Sequence, residues 1–364
     1  MSADSEVFFL PLLLQQSNCA VMCISLLSIP MRFTALLLLC SFGSYTHALS
    51  NLLSRDNFLL SGVLGAVGTR IFSGTTRSTS TVILPLLFLL KGGCLALPIV
   101  LDEAFRYYAI VDTGSPFLTA PDTALDYSKD ASRQYPVTEE QYGESIGGMQ
   151  WRRSHVRVGD TTTSISNNML LGVPPSNVLA DTGGIFCGLM PQDDARPTVL
   201  QQWGYASFVL DYRERQLLLS KSNLFSEDDP TTLPIYDLTR YGPNLHHFAI
   251  ECHGVTLQTP KGEIQLDALE RPVVVVLDSG LTGCIFSDSW LEDLPVSVND
   301  IQGAQLQVGS TTLTSRSEYW HLSCFRLPWF TSEDHHPHII AAGATFLNDM
   351  KLTVDSRTRR LQLS

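Results

Sequence analysis

From residue 95 onward the apolar positions fall in short β-branched or alternating runs, each separated from the next by Gly, Pro, Asn or Asp. That is the period of strands rather than of helices. Leu95-Ala96-Leu97-Pro98-Ile99-Val100-Leu101 and the run 105–111 predict a hairpin. The stretches 198–204 and 287–294 carry the best short helical patterns. Residues 221–234, with Ser226-Glu227-Asp228-Asp229-Pro230 inside them, read as a polar bridge between two domains. The pattern predicts an all-β protein in two parts.

Two of the apolar runs end alike. Tyr108-Ala109-Ile110-Val111 leads into Asp112-Thr113-Gly114-Ser115, and Val274-Val275-Val276-Leu277 leads into Asp278-Ser279-Gly280. A hydrophobic strand that delivers a carboxylate to a glycine turn works against the cost of burying charge. Two such strands suggest that the carboxylates meet. Carboxyls sharing one site do not both ionise easily, so one keeps a proton while the other is charged. Such a pair can take a proton from water and give one to a substrate in the same step. A third copy, Asp181-Thr182-Gly183, follows Leu179-Ala180 and differs in context, running directly into Gly184-Ile185-Phe186-Cys187-Gly188. It is read as the lead-in to a buried strand, not as a catalytic loop.

These residues resemble the pepsin family of aspartic proteases, in which each of two lobes gives one Asp-Thr/Ser-Gly loop. Further landmarks follow in the family's order. Ile185-Phe186-Cys187-Gly188 and Ile339-Ile340-Ala341-Ala342-Gly343 resemble the apolar-apolar-Gly strands that thread under the loops. Tyr142-Gly143, in a stretch reaching Val156-Arg157-Val158-Gly159, resembles the flap hairpin. Gly204–Leu210 and Gln216-Leu217-Leu218-Leu219 resemble the strands that end the first lobe, and Lys351-Leu352-Thr353-Val354-Asp355 down to Leu363 the closing hairpin. The resemblance covers about residues 95–364. It implies two pseudo-symmetric β lobes, at 95–222 and 235–364, with a linker at 223–234 and a cleft between the lobes. A duplication would explain the weak internal repeat.

The resemblance also implies roles. Asp112 and Asp278 would hold the attacking water, without a cofactor or metal, and polypeptide would be the substrate. Thr113 and Ser279 would link beneath the dyad, Gly114 and Gly280 would permit the tight turns, and Ser115 would support Asp112. Tyr142 and Gly143 would close over substrate. Thr119 stands where the family usually has a tryptophan that supports the flap tyrosine. Leu281 replaces a usual Ser or Thr beside Asp278, which predicts a raised Asp278 pKa and activity in milder acid. Glu144 adds a charge near the flap tip. The alternative is a pepsin-like protein that binds peptides or proteins without cutting them.

The first 94 residues have another character. Met31-Arg32, the apolar run 34–40 and the small-residue exit Thr46-His47-Ala48 read as a secretory signal peptide at about 31–48. Residues 49–81 are rich in Ser and Thr and hold Asp56 as their one acid, so 49–94 reads as a transit segment or a spacer. The signal followed by that segment implies the secretory pathway or, alternatively, a plastid reached by a two-part leader. The run 82–90 is too short to span a bilayer alone, and extended to Leu101 it leaves a membrane tether open. Among 364 residues, 36 acids against 24 bases and the lack of a basic patch argue against nucleic acid as a partner; a monomer is expected. Of the eight cysteines, Cys284 and Cys324 are the preferred disulfide, and Cys187 reads as a core residue. His335-His336-Pro337-His338 reads as a solvated loop rather than a metal tract.

Overall fold

A computed structural model describes residues 80–89, 93–121, 134–142, 145–159, 164–175, 185–192, 195–226, 228–242, 245–266, 271–287, 290, 294–324 and 336–364, without the side chains of 141, 142, 145, 146, 323 and 324. The signal reading, the transit or spacer reading up to residue 79, Asp181, Gly143 and Glu144 lie outside these residues. The protein is all-β, as its alternating pattern predicts.

Chain order in the first half is β1 (Thr81–Pro85), β2 (Leu87–Phe88), β3 (Leu95–Leu101), β4 (Phe105–Asp112), β5 (Thr138–Tyr142), β6 (Ser145–Gly159), β7 (Ser164–Val173), β8 (Ile185–Gly188), helix α1 (Val199–Trp203), β9 (Ser207–Asp211) and β10 (Gln216–Ser220). The predicted hairpin forms: β3 and β4 pair antiparallel from Ala96 opposite Ile110 to Leu101 opposite Phe105. The predicted helix also forms, with a reciprocal cap. Thr198 accepts from the Gln201 amide, the Gln201 side chain accepts from the Thr198 amide, and Gly204 closes the helix in the left-handed region at φ 74°.

The second half runs β11 (Leu233–Pro234), β12 (Ala249–Cys252), β13 (Gly254–Thr259), β14 (Gly262–Leu266), β15 (Val273–Leu277), β16 (Cys284–Phe286), β17 (Gly303–Val308), β18 (Thr311–Thr314), β19 (Leu322–Cys324), β20 (His338–Ala342), α2 (Ala344–Leu347), β21 (Lys351–Asp355) and β22 (Arg360–Leu363). Most of the helix expected at 287–294 lies outside the described residues. Its Trp290 is fully buried against Phe286.

One arrangement occurs twice. In the first half, β8 pairs parallel with β4 on one side, and Cys187 bridges Leu118 on the other. In the second, β20 pairs parallel with β15 and antiparallel with β16. All five residues of β15 and of β20 are buried, which explains their unbroken apolar runs. A six-stranded sheet joins the halves in the order β1-β10-β9-β21-β22-β11. Its central pair aligns Ser207 to Asp211 with Asp355 to Lys351. The main hydrophobic core draws residues from both halves, with Phe208 and Phe248 meeting edge to face.

Three expectations change here. The run 82–90 was assigned to the leader, but Thr81 to Pro85 pair with Ser220 to Gln216, and Leu84 and Leu86 are buried in the common core. Its apolar residues fill a sheet edge, so the folded body begins before residue 95; no helix among the described residues is long and apolar enough to cross a membrane. The linker is shorter than expected, because Leu233 and Pro234 pair with Leu361 and Arg360. His336 and His338 are buried rather than solvated. His338 starts β20 and stacks on Trp290 at 5.6 Å, and His336 meets the edge of Tyr241 at 5.0 Å. Imidazole faces are apolar enough to pack this way. Cys187 is a core residue as expected, whereas the side chain of Cys324 falls outside the described set.

Candidate active site

β4 ends on Asp112, and β15 stops one residue short of Asp278. Each strand is held by the parallel strand beside it at the point where it turns: the Leu189 amide donates to Asp112 O at 2.7 Å, and the Asp278 amide donates to Ala342 O at 3.0 Å. Gly188 and Gly343 let those neighbouring strands pass under the loops. A Cβ on Gly188 would stand 2.4 Å from Ser115 O, and one on Gly343 would stand 2.4 Å from both Gly283 O and Leu281 O. No side chain fits at either place.

Thr113 and Ser279 join the two loops by four crossed hydrogen bonds. The Thr113 amide donates to Ser279 Oγ at 3.0 Å, and the Ser279 amide donates to Thr113 Oγ1 at 2.9 Å. Thr113 Oγ1 then donates to Leu277 O, and Ser279 Oγ to Val111 O, each at 2.7 Å. Both residues are fully buried, so every polar group in the cross is satisfied inside the protein. The carboxyls lie directly above. A Cβ on Gly114 would fall 2.5 Å from Asp278 Oδ2, and one on Gly280 would fall 2.6 Å from Asp112 Oδ1. Glycine is needed in each loop because the carboxyl of the other loop occupies that space.

The two carboxyls hydrogen-bond each other and are otherwise supported unequally. Asp112 Oδ1 accepts the Gly114 amide at 2.8 Å, and Asp112 Oδ2 accepts the Ser115 hydroxyl at 2.5 Å. Asp278 Oδ1 accepts the Gly280 amide at 3.0 Å. Leu281 stands at the second-loop position matching Ser115, and the next hydroxyl, on Thr282, bonds the Cys94 thiol. Burial raises the pKa of Asp112, while Ser115 and the loop amides pull it back. Burial raises Asp278 much further, and the adjacent Asp112 charge adds to the rise. The pair therefore favours sharing one proton, and the unequal support favours Asp278 over Asp112 as its holder.

The structure thus brings together Asp112, Thr113, Gly114, Ser115, Asp278, Ser279 and Gly280. Tyr142 ends β5, its backbone paired with Ser145 at the start of β6. Thr119 is buried, and its hydroxyl accepts from the Phe186 amide at 2.8 Å. Two buried thiols beneath the dyad were not recognised as part of the site in the sequence. Burial pushes Cys94 up to about 12, with its Sγ 4.0 Å from Gly280 O, and holds Cys187 above the usual thiol range too. Neither is a thiolate, and neither has a sequence signal, since each occupies a position that any small apolar residue could fill. No metal-binding group of three or more His, Cys, Asp or Glu occurs among the described residues. Compared with models of known protein families and with curated proteins, the chain matches none.

Proposed function

We propose that the protein is an aspartic endopeptidase of two pepsin-like lobes that hydrolyses polypeptides with a water held between Asp112 and Asp278. The observation that carries this reading is the crossed Thr113–Ser279 bonding, which fixes two buried carboxyls from distant strands against each other. A carboxyl pair sharing one proton is suited to general acid–base work on an amide. Asp112 takes a proton from the water as its oxygen bonds to the peptide carbonyl carbon. Asp278 gives its proton to the carbonyl oxygen, so a neutral diol forms. In collapse the C–N bond breaks, the amine nitrogen takes a proton from Asp112, and a diol hydroxyl returns one to Asp278. Water is consumed, and the dyad ends as it began.

The β5–β6 hairpin, with Tyr142 and Gly143 at its turn, would cover the substrate and exclude bulk water. The N-terminal leader would direct the enzyme into the secretory pathway or, if two-part, into a plastid. The test is cleavage of unfolded casein by the full chain from pH 3 to 7, with and without pepstatin. Cleavage blocked by pepstatin and abolished by Asp112→Asn is the expected result. Folded protein that binds pepstatin and cuts nothing would overturn it in favour of a peptide-binding role.

A further inference from the structure

Behind the β5–β6 hairpin lies a buried cation that the proposed chemistry does not use. Arg196 is 8% exposed, and its guanidinium packs over the rings of Phe117 at 4.8 Å and Trp151 at 4.7 Å. Arg196 Nη1 donates to Thr138 Oγ1 at 2.9 Å and forms an ion pair with Glu140 Oε1. Thr138 Oγ1 also accepts the Trp151 indole N–H at 3.1 Å and donates to Glu140 at 2.7 Å. Thr138 and Glu140 belong to β5 and Trp151 to β6, so one side chain holds both strands of the hairpin.

Its other support belongs to the catalytic loop. Phe117 follows Asp112-Thr113-Gly114-Ser115-Pro116 in the chain. Its carbonyl accepts the Gly188 amide at 3.0 Å, and Pro116 O accepts the Val199 amide at 3.1 Å. Phe117 and Trp151 are buried and meet edge to face with centroids 4.8 Å apart. The guanidinium is thus fastened to a rigid base continuous with Asp112. A buried ion pair is a poor source of stability, because desolvation offsets its attraction. What it supplies is a unique geometry, and the flat fork of arginine can stack and bond two acceptors at once.

We infer that Arg196 is a positioning residue that clamps the β5–β6 hairpin to the Asp112 loop and so sets how firmly substrate is held. This rests on the protease reading. The experiment uses the full chain with Arg196→Met/Glu140→Gln, which keeps the packing volume and leaves no buried charge unpaired, beside Arg196→Lys. It reads KM and kcat on a fluorogenic peptide, pepstatin affinity, thermal stability, and amide hydrogen exchange over residues 138–150.

The double variant is expected to melt within a few degrees of the parent. Its KM and pepstatin Kd should rise about tenfold while kcat stays within about twofold, with faster exchange confined to the hairpin. Arg196→Lys should fall between. A folded double variant whose exchange and KM match the parent overturns the clamp, as does one that loses kcat alone. If the parent cleaves nothing, the protease reading fails separately, and hairpin exchange decides for or against the clamp by itself.

Discussion

Ser279 is worth more than one hydrogen bond. Its hydroxyl accepts from the Thr113 amide and donates to Val111 O, both in the buried floor of the site. Ser279→Ala leaves two buried polar groups without partners, at a cost of about 3 kcal/mol. A fall of several degrees in Tm is expected, with Ser279→Thr close to the parent; an unchanged melt for Ser279→Ala would contradict the crossed bonding. The dyad gives the opposite sign. Because burial raises both carboxyls in the folded state, the fold binds more protons than the unfolded chain does. The pair therefore costs nothing well below the unfolded value of about 3.9. It weakens the protein as pH rises from there through the raised Asp278 pKa. Asp278→Asn should melt above the parent at pH 7, and the gap should close below about pH 4. A gap that does not change with pH would refute the raised pKa.

At the scale of elements, strands and turns were legible where local pattern and tertiary context agree. The hairpin of β3 and β4 and the short helix α1 could be read directly, since the pattern of each is local and the helix is capped by Thr198, Gln201 and Gly204 within a single turn of chain; the strand β8 was reached through family resemblance. The crossed loops were anticipated through family resemblance rather than through any local pattern. The edge strand β1 was misread. Thr81-Val82-Ile83-Leu84-Pro85 looks like the tail of a leader because its partner, Gln216 to Ser220, lies far along the chain. Arg196 was equally invisible, since its partners come from three separate segments. The β1 pairing predicts that a chain starting at residue 95 will aggregate or melt well below one starting at residue 80, because it leaves an apolar edge open. Gel filtration and circular dichroism of the two truncations would check this, and equal behaviour would rule out β1 as part of the body.

For the whole molecule, the six-stranded sheet makes the halves depend on each other in a way the linker alone does not. In that linker, residue 226 and residues 228–231 are exposed or half-buried, with a tie at either end. The Leu224 amide bonds Asp355 at 3.2 Å, and Arg360 Nη2 donates to Thr232 O at 3.0 Å. Between those ties the backbone carries no strand of the joining sheet. A single cut there would leave β9 paired with β21, the shared core closed and the two aspartate loops still crossed. The nicked product should run as two fragments on a denaturing gel, elute as one particle from a sizing column and, on the proposed protease reading, keep the turnover of the intact chain. Covalent continuity between the halves would then matter for finding the partner during folding, and could be dispensed with once the molecule is made.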